Sequence, residues 1–209
     1  MFTGIIETIG TVSEVQKFPD FVHLVVIAHF KELPKLGDSI AINGACMTVC
    51  KIYKNDSFGF DVSLESLSKT NMRELKIGSQ VNLEKSLQVG ARIDGHFVSG
   101  HIDGEGEVSK IKIKGNDRLF YFKFPSELGI QIVSKGSIAV NGISLTVIEP
   151  NLNEFHVTVV PFTWEHTTMK NLKVGDKINL ETDLLAKYVQ SFSAKKETMT
   201  KELLINAGF

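Results

Sequence analysis

Short segments alternating between apolar and polar residues dominate the chain. Residues 23–27 (HLVVI), 39–42 (SIAI), 47–49 (MTV), 58–62 (FGFDV) and 80–83 (QVNL) alternate with period two or form brief apolar runs, the pattern of strands with a buried face. The Asn-Gly pairs at 43/44 and 141/142, each flanked by such alternation, predict tight type I′ hairpins, because that turn needs positive φ at both central residues. LKIGSQVNLE and LKVGDKINLE each place a glycine before a closing strand, and short helical turns are expected just upstream, at Ser66–Glu74 and Thr163–Asn171. From Asp183 the period changes. Leu184, Leu185, Tyr188, Val189 and Phe192, followed by Met199, Leu203 and Leu204 among lysines and glutamates, form the stripe of an amphipathic helix.

The pattern occurs twice. SIAINGACMTV (39–49) returns as SIAVNGISLTV (137–147), and SLSKTNMRELKIGSQVNLEKSL (66–87) as TWEHTTMKNLKVGDKINLETDL (163–184). The opening FTGIIETIGTVSEV, from Phe2, falls on VSGHIDGEGEVSKI, from Val98. Repetition at this length defines two successive modules. We place them at residues 1–92 and 96–186, with Val89–Gly95 as linker and 187–209 as a helical tail. Several short strands per module, spaced by turn signals, predict a mainly β protein: two tandem six-stranded antiparallel Greek-key barrels plus a C-terminal amphipathic helix. Neither barrel needs that helix, so its stripe is expected to bury against other subunits.

Composition narrows the function. The 209 residues carry 23 Lys+Arg against 24 Asp+Glu, with 43% hydrophobic residues, which describes an ordinary folded chain. Without a basic block there is no footprint of a nucleic-acid binder or a polybasic membrane anchor. No apolar run approaches the roughly 20 residues that span a bilayer, and MFTGIIETIG lacks the features of a signal peptide, so a cytoplasmic protein is expected. Cys46 and Cys50 lie on one strand, with Cα atoms about 13 Å apart at about 3.3 Å per residue; they cannot form a disulfide and are expected as free thiols.

A duplicated barrel offers two related pockets, and their chemistry can diverge only where the copies differ. Cys46 falls on Ser144, Ile5 on His101, and Ser63–Ser66 on Val160–Thr163, while Thr48 and Thr146 agree. Cys46 shares a strand face with Thr48, and Ser144 with Thr146, so each module would present a paired set of small polar groups. Blander readings compete. A buried free cysteine is usually a small apolar filler, a role that suits Cys50, and the threonines are good β formers. Trp164 reads as packing. His96 and His101 would face opposite ways on an extended segment, so no metal site is expected there. A histidine in a polar pocket is, however, the natural proton shuttle near neutral pH. No GxGxxG or GK[ST] arrangement opens a helix, which removes a phosphate loop.

The opening MFTGIIE, the paired segments NGACMTV and NGISLTV, and SGHIDG at the start of the second module resemble the riboflavin synthases of the α type, and the similarity runs from Met1 to about Asp183. It implies a homotrimer in which the N-terminal barrel of one chain faces the C-terminal barrel of a neighbour. The family reaction is a dismutation without metal or redox cofactor. Two molecules of 6,7-dimethyl-8-ribityllumazine exchange a four-carbon unit, giving riboflavin and 5-amino-6-(ribitylamino)uracil. In the first pocket the resemblance places Gly4, Ile5 and Ile6, with Phe2 ordering the N-terminus, then Cys46, Met47 and Thr48, then Asp61, Val62, Ser63, Leu64, Glu65 and Ser66, with Ser39 behind. In the second it places Gly100, His101, Ile102, Lys135, Ser144, Leu145 and Thr146, the run Val160, Pro161, Phe162, Thr163, Trp164 and Glu165, and Asp183. Cys46 would assist addition or orient the acceptor, while His101, Ser144 and Thr146 would handle protons and hydrogen bonds. The chain has Ala45-Cys46 where many members of the family carry two cysteines, and it keeps the cysteine on the Thr48 face.

Two alternatives belong to other classes. Some relatives bind lumazine or flavin as an optical antenna without chemistry, and they tend to lose the polar set of the second pocket, which is intact here in SGHIDG and GISLTV. A flavin reductase on a similar barrel would use a nicotinamide donor, for which no dinucleotide fingerprint is present. Association with lumazine synthase is a further partner that the resemblance raises.

Overall fold

A computed structural model describes residues 1–193 and residue 205. The first module runs through β1 (Thr8–Lys17), β2 (Phe21–Ile27), β3 (Ser39–Ile42), β4 (Ala45–Tyr53), β5 (Ser57–Ser63), α1 (Leu64–Lys69), a 3-10 turn at Asn71–Glu74 and β6 (Gln80–Lys85). Its strands pair antiparallel in the order β1-β2-β5-β4-β3-β6, and β1 pairs with β6 to close a barrel. Alternate residues point inward, so Leu24, Val26, Ile40, Ile42, Phe58, Phe60 and Leu83 fill the interior almost without exposure. Both Asn-Gly pairs form the expected turns, with Asn43 at φ 46° and Gly44 at φ 84°, and Asn141 at 46° and Gly142 at 78°.

The second module repeats this order with β7 (Gly104–Lys114), β8 (Asp117–Lys123), β9 (Ser137–Val140), β10 (Ile143–Thr146), β11 (Glu154–Val159), α2 (Pro161–His166) and β12 (Lys177–Thr182). Its six strands form one antiparallel sheet in the order β10-β9-β12-β7-β8-β11. The predicted closure is incomplete. Where β4 runs on to pair with β5, β10 stops at Thr146, and the Ile148 amide donating to the His156 carbonyl (2.9 Å) spans the seam. The sequence contains the cause: Pro150 stands where Ile52 pairs with Phe58, and a proline cannot donate to a ladder.

Each expected helical turn is split in two. Thr70 and Thr167, both extended, end α1 and α2, and their hydroxyls accept from the amides of Met72 and Met169 to start the 3-10 turns Asn71–Glu74 and Thr168–Asn171. Residues 184–193 form the expected helix after β12, here α3; Met199, Leu203 and Leu204 lie outside the described residues. Leu185, Tyr188, Val189 and Phe192 are exposed on α3. Among the described residues no helix is long and apolar enough to cross a membrane.

A pseudo-twofold contact joins the modules. The two Asn-Gly turns meet so closely that a Cβ on Gly44 would lie 2.8 Å from the Gly142 amide nitrogen. Around them Asn82 Nδ2 donates to the Asn141 carbonyl and Asn179 Nδ2 to the Asn43 carbonyl, both at 2.9 Å. Their Oδ1 atoms accept from the amides of Thr168 and Asn71 in the opposite module. Buried amides paired this fully fix one relative placement of the modules, since each would be expensive to leave unpaired.

Candidate functional site

The polar strand positions lie on the outer faces of the two sheets. Cys46 is partly buried and Thr48 exposed on β4, while the intervening Met47 faces the core; Ser144, Thr146 and Leu145 repeat this on β10. Ser39 pairs directly with Thr48 across β3 and β4, which places it beside the same face. Leu145 and Val62 are buried in the module interiors by strand alternation, and Met47, also largely buried, still borders the cavity at Cys46.

A larger correction concerns the segments that lead into the modules. Sequence correspondence groups Gly4–Ile6 with Cys46 and Gly100–Ile102 with Ser144, whereas the structure crosses them. The Cys46 amide donates to the Gly100 carbonyl (2.8 Å) and the Ser144 amide to the Gly4 carbonyl (2.7 Å). Ile102 packs on the first core and Ile6 on the second. The cause is backbone satisfaction. The start of β4 pairs with β3 on one side, but its pairing with β5 begins only at Val49, leaving the Cys46 amide in need of an acceptor. The crossing point is an antiparallel bridge between Phe2 and Val98, and Phe2, fully buried with Val98, Ala41 and Ala139, packs against Cys46. At Gly100, at φ +83°, a Cβ would sit 2.6 Å from that of Cys46, so glycine is required for this approach.

The first pocket is a cavity of about 410 Å³ lined by Cys46, His101, Ile102, Glu65, Ser66, Lys69 and Thr70, with Ala45, Met47 and Gly100 at its floor. Glu65 and Lys69, one turn apart on α1, form an ion pair at its edge (2.8 Å) that lowers the Glu65 carboxyl below its ordinary value. Ser63 caps α1 by accepting from the Ser66 amide, and Leu64 is exposed. Asp61 is turned away from this cavity towards His23, whose Nδ1 lies 2.6 Å from Asp61 Oδ1 and whose Nε2 lies 3.0 Å from the Tyr53 hydroxyl. Cys50 joins this group, exposed rather than packed. Burial, then the Asp61 charge, raises its thiol, and one ligand atom each from His23, Cys50 and Asp61 falls within 4.8 Å of the others. The spacing of these three residues in the sequence does not reveal that grouping, and both ring nitrogens of His23 already have protein partners.

Around Ser144 the corresponding positions carry different groups. Ile5 is exposed where the first pocket has His101, and Phe162 stacks on His166 (4.2 Å between centroids) where it has the Glu65–Lys69 pair. Val160 precedes α2 and Pro161 begins it, both exposed; the Thr163 carbonyl accepts from the Thr167 hydroxyl, and the Glu165 carbonyl from Lys170. Trp164 packs against Phe120 beneath Arg118. Thr146 pairs with Ser137, which with Asp183 borders a cavity of about 570 Å³ walled by α3. Lys135, at φ +63°, is exposed in the turn before β9.

Residue correspondence missed His96. It is 8% exposed, and its Nδ1 lies 2.7 Å from the Ser144 hydroxyl. Burial pushes it below the ordinary histidine range, with Asp183 opposing. Its position between the linker and Val98, in GHFVSGH, was the available signal, but the contact with Ser144 depends on the crossing.

Fold and site together define a duplicated small-molecule-binding protein with two related, non-identical sites, the first a cavity at Cys46 and the second an outer face around Ser144. The Lumazine binding domain model matches residues 3–86 and 99–183. Riboflavin synthases of Actinobacillus pleuropneumoniae and Bacillus subtilis are 39% and 38% identical to the chain, each aligned over 100% of both sequences. The crystal structure of LumP complexed with riboflavin superposes with a TM-score of 0.81 at 27% identity, covering 87% of this chain and 99% of that one. LumP complexed with 6,7-dimethyl-8-(1'-D-ribityl) lumazine gives 0.79 at 26%, with the same coverage. The chain belongs to the riboflavin synthase family.

Proposed function

We propose that the chain catalyses the dismutation of two 6,7-dimethyl-8-ribityllumazine molecules to riboflavin and 5-amino-6-(ribitylamino)uracil, as a transferase. The observation that carries this reading is the pair of outer-face pockets, alike in strand, turn and backbone but unlike in side chains. One compound serves the reaction as both donor and acceptor, and such a pair can hold the two copies differently.

The chemistry needs a proton taken from a methyl group of one lumazine and addition to the ring of the other. His101, exposed beside Cys46, can accept or return a proton at the first pocket, while the Cys46 thiol contacts the ligand edge. In the second, Ser144, held by the buried His96, and Thr146 supply hydrogen bonds to the heterocycle. Holding two large rings face to face supplies much of the rate, because an encounter in solution becomes an oriented pair. Both pockets open outward, so a second surface must cover them. A homotrimer does so when the first barrel of one chain faces the second module of its neighbour, with the exposed apolar stripe of α3 between subunits. We place the enzyme in the cytoplasm, where Cys46 and Cys50 remain free thiols. Association with lumazine synthase would be an addition to this assembly rather than a requirement of the reaction.

The test is to mix the purified protein with 6,7-dimethyl-8-ribityllumazine alone and follow riboflavin by absorbance. About half a mole of riboflavin per mole of lumazine consumed is expected from the stoichiometry. Tight binding without turnover would overturn the reading in favour of an optical antenna.

A further inference from the structure

Two buried carboxylates stand at matching positions; neither lines the cavity at Cys46 or the cavity walled by α3, and Glu84 borders, with Thr3 and Ile5, a separate cavity of about 370 Å³. Glu84 on β6 and Glu181 on β12 are 5% and 1% exposed. Glu84 Oε1 accepts from the Thr3 amide (2.6 Å) and hydroxyl (2.7 Å), and Oε2 from the Gly4 amide (3.0 Å). Glu181 repeats this with the Ser99 amide (2.6 Å), the Ser99 hydroxyl (2.7 Å) and the Gly100 amide (3.0 Å). All three partners on each side donate to the carboxyl, so each glutamate side chain acts as an acceptor for one short backbone segment. Burial raises both carboxyls above their ordinary value, and these hydrogen bonds oppose that rise, favouring the charged form at each position.

Each carboxylate is connected to the pocket of the other module. The carbonyl of Gly100, the residue whose amide is held by Glu181, accepts from Cys46, and the Ser99 hydroxyl also accepts from the His101 amide (3.2 Å). The carbonyl of Gly4, whose amide is held by Glu84, accepts from Ser144, and the Thr3 hydroxyl accepts from the Ile5 amide (3.3 Å). We propose that Glu181 and Glu84 are positioning residues acting crosswise: Glu181, in the second module, sets Cys46 and His101 in the first pocket, and Glu84, in the first module, sets Ser144 and Ile5 in the second. The proposal rests on the dismutation reading for its kinetic readout. It adds to that reading a pair of residues whose substitution is felt at one pocket only.

The experiment is a set of double-mutant cycles on the full chain, combining Glu181→Gln and Glu84→Gln in turn with Cys46→Ser and Ser144→Ala. A glutamine turns an NH2 towards a backbone donor, breaking the cradle without emptying it. Effects on independent sites multiply, whereas effects on one coupled unit do not. Glu181→Gln is expected to lower kcat about tenfold, to add little on top of Cys46→Ser, and to multiply with Ser144→Ala; Glu84→Gln should show the reverse. Ser99→Ala, a milder change that keeps the carboxylate, should give a few-fold loss with the same pattern and carries the test if Glu181→Gln does not fold. Equal multiplication with both partners, or coupling of Glu181 to Ser144, would overturn the proposal. If the wild-type chain binds lumazine without turning it over, the dismutation reading fails on its own; the same cycles read in lumazine affinity by fluorescence titration then decide the crosswise assignment.

Discussion

At the pocket edge, the first module has an ion pair between Glu65 and Lys69 where the second has a stack of Phe162 on His166, with the same spacing on equivalent helices. The contrast continues inward: Cys46 and His101 on one side face Ser144 and Ile5 on the other, while the glycines, asparagines and buried glutamates that fix the backbone are identical. Around the pockets, then, divergence after duplication falls on groups that a ligand would meet. It reaches the backbone at one seam, where Pro150 leaves β10 short and the second sheet without a full β10–β11 ladder.

The largest effect is expected where the modules share one element. Phe2→Ala removes the fully buried ring at the crossing and should cost roughly 3–5 kcal/mol, the usual range for a buried phenylalanine. Denaturant unfolding would measure it, and loss confined to one module would break the view that Phe2 serves both. Gly100→Ala should follow, at roughly 1–3 kcal/mol for a strained φ, increased by the clash with Cys46. Gly4→Ala should act likewise at Ser144, so steady-state assays of the two variants would weigh the pockets against each other. Cys46→Ser should reduce kcat by about tenfold, some 1.4 kcal/mol in the barrier, and His101→Ala should lower turnover while leaving the fold intact. Cys50→Ser should leave kcat unchanged, because Cys50 lies with His23 and Asp61 outside the first cavity; equal losses for the two cysteines would remove the distinction between them.

The smallest effect is a pH dependence confined to the second pocket. Burial depresses His96 below its ordinary value of 6.5, so the unfolded chain takes up the proton more readily than the folded one. Stability from this group is complete above about pH 6.5 and is lost as pH falls through the depressed folded value. Thermal midpoints of the wild type and His96→Gln should therefore converge as pH falls from 7.5 to 5.5. A constant difference between them would contradict a buried neutral imidazole beside Ser144.

Much of the fold is legible in the chain because period-two alternation and the Asn-Gly turns are local signals. The positions of Cys46, Thr48, Ser144 and Thr146 on the outer faces also follow from alternation alone. The crossing does not. Gly4 and Gly100 sit in matching motifs, and correspondence assigns each to its own module; the exchange depends on which strand edge has an unsatisfied amide, a property of the assembled sheets. The same holds for Glu84 and Glu181, whose NLE motifs read as ordinary strand ends until Thr3 and Ser99 are seen to donate to them. The contact of Asp61 with His23 on β2 is likewise invisible in the sequence, because it depends on the pairing of β5 with β2.

The geometry puts the entering segment of the opposite module beside each site. Locating bound 6,7-dimethyl-8-ribityllumazine in crystals of the protein tests it most directly. One molecule is expected over Cys46 and Thr48 with His101 beside it, and another over Ser144 and Thr146 with Ile5 beside it. A molecule inside either sheet's core, or one held between Ile5 and Cys46, would contradict it.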